Sequence, residues 1–130
     1  MVEDNAGDVF LVKEAVAAAK LDADLYFLAD GDEALQFFGQ IEESAVRRPD
    51  LLLLDLNIPR VNGFQILSFL RASKCCADMR VVVMTSSSSP ADRQRSASFH
   101  IDLYFTKPAT YDEFLTLGDV IRKLTESGLG

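Results

Sequence analysis

Apolar residues along this chain fall into short unbroken runs, separated by stretches whose apolar positions recur at helical spacing. Leu51-Leu52-Leu53-Leu54 is apolar without alternation, the pattern of a strand buried on both faces. Val81-Val82-Val83-Met84 is a second, β-branched run of that kind. Leu25–Leu28, closed by Ala29-Asp30-Gly31, and Ile101–Thr106 are two further strand candidates. Met1-Val2 reads as the end of another, running into Glu3-Asp4-Asn5, and is short against a typical length of about five or six. Between the runs, Asp8 can cap a helix reaching about Lys20, with Val9, Val12, Val16 and Ala19 on one stripe. A second helix is predicted from Asp32 to about Ile41, carrying Ala34, Leu35 and Phe38, and a third from Phe64 to Arg71 with Ile66, Leu67 and Leu70 inward. Pro90 fits the first turn of a polar helix reaching roughly Phe99. Tyr111 to Glu126 closes the chain as a helix with Phe114, Leu117, Val120, Ile121 and Leu124 facing the core. The polar segment 42–49, with Arg47-Arg48, reads as a solvated loop.

The result is βα repeated five times, which right-handed crossovers turn into a parallel sheet with helices on both faces. Every unusual polar residue then falls at the C-terminal end of a strand: Glu3 and Asp4, Asp55, Thr85 and Lys107. In an open parallel sheet those ends converge on the crevice where ligands bind. Three carboxylates there repel one another and call for a cation, and hard oxygen ligands suit Mg²⁺. A lysine and a hydroxyl opposite are what the charged oxygens of a phosphoryl group require. Asp55 is the candidate nucleophile, since a carboxylate can form an aspartyl-phosphate. Taken singly, each residue has a plainer role: Asp55 as the end of a strand, Thr85 as structure, Lys107-Pro108 as a turn.

Composition narrows the classes. The 130 residues are one domain's worth, 48% apolar and 25% charged. A net charge of -7 argues against nucleic acid or an anionic membrane as main partner. No apolar window is long enough for a transmembrane helix, and MVEDN opens no secretory signal. The adjacent Cys75 and Cys76 match no metal spacing or disulfide framework, and a cytoplasmic location is expected.

The motifs EDN at 3–5, LLLLDLNIPRVNGF at 51–64, VVVMTSS at 81–87 and YFTKP at 104–108 resemble the receiver domain of two-component response regulators, the CheY-like family. The resemblance covers essentially the whole chain. It implies one receiver domain over residues 1–130, with a flavodoxin-like, doubly wound five-stranded parallel sheet of order 2-1-3-4-5. It implies that a histidine kinase donates phosphoryl to Asp55, with Mg²⁺ held by Asp4, Asp55 and the Asn57 carbonyl and by Glu3 through water. Lys107 would pair with the phosphoryl, Thr85 would swing toward it, and Tyr104 would turn inward with Thr85. Asn57 and Ser87 match positions that tune the phosphoryl lifetime, and Pro108 the proline whose preceding bond is cis. The loop at 42–50 and the TSSSS tract are similar to the small regulators that partner bacteriophytochromes. A protein output partner and a homodimer through the last strand and helix follow on the same grounds. The short first strand departs from the pattern and implies residues upstream of Met1 or completion by another segment.

Two other classes remain. A Mg²⁺-dependent phosphohydrolase through an aspartyl-phosphate usually needs an acid two residues after the nucleophile, where this chain has Asn57. A receiver used only for binding would not need the full phosphorylation set. His100, the lone histidine, reads as structural rather than as a relay residue.

Overall fold

The computed structural model describes residues 1–43 and 47–127. Three parallel strands form the sheet: β1 (Leu51–Leu54), β2 (Arg80–Thr85) and β3 (Leu103–Thr106), in that order. Leu51 pairs with Arg80 and Leu54 with Val83; Val82 pairs with Leu103 and Thr85 with Thr106. Among the described residues there are six helices: α1 (Ala6–Ala18), α2 (Gly31–Glu42), α3 (Gly63–Ala72), α4 (Pro90–Ala97), α5 (Tyr111–Leu115) and α6 (Leu117–Ser127).

The unbroken apolar runs do what their pattern requires. Leu52, Leu54, Val81 and Val83 enter a core shared with Ala34 and Phe38 of α2 and with Ile66, Leu67 and Leu70 of α3. Their alternate neighbours Leu53, Val82 and Met84 enter a second core with Val12, Ala15 and Val16 of α1, Phe114 of α5, and Leu117 and Ile121 of α6. Successive strand residues point to opposite faces, so only a strand apolar at every position can cement two helical layers.

The first two strand candidates, Met1-Val2 and Leu25–Leu28, shrink to single bridges. Val2 bridges Leu28 on one side and Leu54 on the other, both in parallel sense. The Val2 amide donates to Leu53 O at 2.8 Å and the Glu3 amide to Leu28 O at 2.9 Å. Leu25 and Tyr26 are exposed, without the apolar cover that would draw them into a regular ladder.

Three helix ends differ from the sequence reading. Asn5, not Asp8, caps α1, its side chain accepting from the Asp8 amide at 3.0 Å. This frees the Asp8 carboxylate for other use. The closing helix breaks at Thr116, whose hydroxyl bonds back to Glu113 O at 2.6 Å and so caps α5 one residue before α6 begins. The polar helix ends at Ala97, and His100 follows with φ 58°, exposed, its carbonyl accepting from Arg71.

Residues 44–46 of the expected 42–49 loop lie outside the described residues. Arg48 is not simply solvated: its guanidinium donates to Cys75 O and pairs with Asp78, both at 2.7 Å. Burial pushes the Cys76 thiol up, and both cysteines are free. Among the described residues no helix is long and apolar enough to cross a membrane.

Candidate functional site

The site forms where β1, β2 and β3 end, and packing behind those ends sets it. Asp55 follows the last residue of β1, and its amide donates to Val2 O at 3.2 Å. The backbone of Asp55 and Leu56 is pressed against Gly63 at the start of α3: a Cβ there would lie 2.7 Å from Leu56 Cα and 2.9 Å from Asp55 O. The loop after Asp55 is held from the other side by Gly31, where a Cβ would meet Val61 O at 2.0 Å. Neither position admits a side chain without moving that loop.

Lys107 follows β3, and its amide donates to Thr85 O at 2.8 Å. Its ammonium lies 3.0 Å from Asp55 Oδ2, 2.9 Å from Glu3 Oε2 and 2.6 Å from Asp8 Oδ2. The Lys107–Pro108 bond is trans, as is every described peptide bond, which corrects the expected cis bond. Trans is the lower form for X-Pro, and three carboxylates already draw the ammonium inward.

Glu3 and Asp55 are buried, at 3% and 5% exposure, whereas Asp4 is exposed. Burial, and then Asp55 beside it, push the Glu3 carboxyl up to about 7 against the pull of Lys107 and the Asn5 amide. Burial alone would lower Lys107, but Asp8, Glu3 and Asp55 hold its ammonium above the usual lysine value. Glu3, Asp4 and Asp55 each offer an oxygen within 4.8 Å of the others. Carboxylates this close, one open to water, are the donor chemistry of a hard divalent cation, and the set fits Mg²⁺.

The second half of the site is a chain of weaker contacts. Thr85 is fully buried, and its Oγ1 accepts from the Ser87 amide at 3.3 Å and from Asn57 Nδ2 at 3.5 Å. The Tyr104 hydroxyl donates to Ser87 O at 2.9 Å. The Ser87 hydroxyl donates to Asp92 of α4 at 2.6 Å. Arg93 stacks over the Tyr104 ring at 4.6 Å and donates to Thr106 Oγ1 at 3.0 Å.

Glu3, Asp4, Asp55, Asn57, Thr85, Ser87, Tyr104 and Lys107 thus gather along one sheet edge, as the strand-end argument expects. Asp8 and Arg93 were missed. Asp8 could have been suspected from its place one helical turn beyond Glu3-Asp4, whereas nothing in the polar run PADRQRSA singles out Arg93.

Among known proteins, the family model of the response regulator receiver domain matches residues 1–117. The probable methanogenesis regulatory protein FilR2 of Methanothrix harundinacea is 31% identical over 130 residues, covering 100% of this chain and 82% of that protein. Response regulator Rcp1 of a Synechocystis species is 36% identical over 110 residues, 82% of this chain and 74% of Rcp1. The crystal structure of Mn²⁺-bound Rcp1 superposes with a TM-score of 0.83 at 32% identity, covering 94% of this chain and 88% of that one. The phosphorylated cyanobacterial phytochrome response regulator RcpA gives a TM-score of 0.86 at 31% identity, covering 98% and 91%. The fold is therefore the flavodoxin-like receiver fold, and with its acidic cluster at the strand ends this chain belongs to the response regulator receiver domain family of two-component signalling.

Proposed function

We propose that the chain is a single receiver domain over residues 1–130 that takes a phosphoryl group from a histidine kinase onto Asp55 and relays the change through Thr85 and Tyr104 to a protein partner. The observation that carries this reading is Asp55 itself: buried, 3.0 Å from the Lys107 ammonium, and sharing its pocket with Glu3 and Asp4. Asp55 attacks phosphorus, the bond from phosphorus to the kinase's histidine nitrogen breaks, and its electron pair stays on the imidazole. Lys107 donates to the transferred phosphoryl oxygens, and Thr85 turns its hydroxyl toward them. Glu3, Asp4, Asp55 and the Asn57 carbonyl would hold Mg²⁺, which when bound neutralises charge on those oxygens. As Thr85 turns, the Ser87 segment follows, and the Tyr104 hydroxyl loses the carbonyl it now holds. Asn57 and Ser87, both in contact with Thr85 Oγ1, are positioned to govern water's access and the phosphoryl lifetime.

The likeness to RcpA, named a phytochrome response regulator, supports a phytochrome-type histidine kinase as donor. Val2, bridging Leu28 and Leu54, supports the strand order 2-1-3-4-5 with its first two strands reduced here to single pairs. The exposed Leu103 at 36% supports a homodimer through β3 and α6, and the cytoplasm is the compartment this role requires.

Incubation with Mg²⁺ and acetyl phosphate, followed by intact-mass measurement, tests the reading. One phosphoryl adduct is expected, absent from Asp55→Asn and absent in chelator. An adduct that survives Asp55→Asn, or no adduct on the unaltered protein, overturns it.

A further inference from the structure

We propose that Asp8 is a competing counter-ion for Lys107, the acceptor the ammonium leaves when Asp55 is phosphorylated, and hence a positioning residue that restrains the switch. The inference rests on the receiver reading above.

An ammonium has three N–H donors. Lys107 directs them at three carboxylates, and Asp8, at 2.6 Å, is nearer than Glu3 or Asp55. No donor is left over for an incoming phosphoryl group. To bond its oxygens, Lys107 must release a partner it now holds.

Burial decides which one. The Glu3 side chain is 1% exposed and the Asp55 side chain 7%, whereas that of Asp8 is 18% exposed. A carboxylate left unpaired in the interior carries its full desolvation cost, while one at the rim takes water in place of the lost donor. Glu3 is further tied to the Asn5 amide at 3.1 Å. Asp8 sits in the first turn of α1, where the helix dipole favours a carboxylate after the ammonium has left. Asp8 is therefore the partner released at least cost. Its charge also repels the phosphoryl anion, so both effects have the same sign. Removing the carboxylate should tighten the phosphorylated form.

The test compares the unaltered protein with Asp8→Asn and Asp8→Glu, titrating beryllofluoride, a phosphoryl mimic, by calorimetry at saturating Mg²⁺. Asp8→Asn is expected to bind about tenfold more tightly, the scale of one charge-assisted hydrogen bond released at a partly exposed site. Asp8→Glu, which restores the charge, should return to the unaltered affinity. A residue that merely supports the fold would weaken binding when replaced, never strengthen it. Equal or weaker binding by Asp8→Asn, or equal tightening by Asp8→Glu, overturns the proposal. Circular dichroism checks each variant, and Asp8→Ser replaces Asp8→Asn should the latter not fold. If the unaltered protein takes neither beryllofluoride nor acetyl-phosphate phosphoryl, the receiver reading itself falls and Asp8 with it. Normal loading without the Asp8→Asn gain rejects the Asp8 role alone.

Discussion

The two flanks of the sheet are held in very different ways. Around β1 and β2, helices α1, α2, α3 and α6 bury Val12, Phe38, Leu67 and Leu117 to 1% exposure or less. On the β3 side, α4 buries one of its own residues, Ser96, whose hydroxyl has no partner among the described residues. What ties α4 to its neighbours is polar: Arg93 on Tyr104 and Thr106 of β3, Asp92 on Ser87 of the loop before it, and Arg95 over the Phe64 ring. Apolar packing is non-directional and costly to undo, whereas exposed polar contacts exchange readily with water. The acid pocket thus rests on the rigid flank, and Thr85 and Tyr104 face the one that can move. A switch needs both, a fixed site to sense charge and a loosely held element to respond.

The largest effect should come from breaking the rigid side. Leu54→Ala, at a fully buried position in β1, should cost about 3–5 kcal/mol in denaturant unfolding and carry the acid pocket down with it. The opposite sign is expected across the sheet. Ser96→Ala removes a buried hydroxyl that has no partner among the described residues, and should stabilise the chain by about 1 kcal/mol, a gain measurable as a higher unfolding midpoint. Arg93→Ala should lower stability by about 0.5–1 kcal/mol while visibly raising hydrogen exchange over Pro90–Ala97 and leaving Leu51–Leu54 unchanged. Equal exchange gains in β1 would show that the two flanks are one cooperative unit. The smallest change is His100→Gly: with φ at 58°, glycine should add about 0.3 kcal/mol, the relief of a left-handed backbone less the freedom a glycine gains in the unfolded chain.

How much of this was legible differs from residue to residue. Leu51–Leu54 and Val81–Met84 read correctly because a strand between two helical layers cannot alternate polar residues. Asp55, Thr85 and Lys107 were legible for a related reason: in a parallel sheet, position along a strand is position in space. Leu25–Leu28 was overread, because four apolar residues satisfy a strand pattern whether or not a neighbour covers them. Asp8 was misread as a cap. A carboxylate three residues after an asparagine serves a helix start equally well in either order, and only the position of Lys107 shows which side chain was left over. Arg48, placed in a solvated loop, found Cys75 and Asp78, roughly thirty residues on, at a distance in sequence that no local pattern encodes.

The sequence by itself determined the βα alternation, the two-sided core and the edge at which the charged residues collect, because each follows from the period of apolar positions. The tertiary structure alone decided which carboxylates share the single ammonium, which flank is packed and which is merely bonded, and that the Lys107–Pro108 bond is trans. Those outcomes depend on distances between segments far apart in the chain, set by how the helices pack on the sheet, and no local spacing contains them.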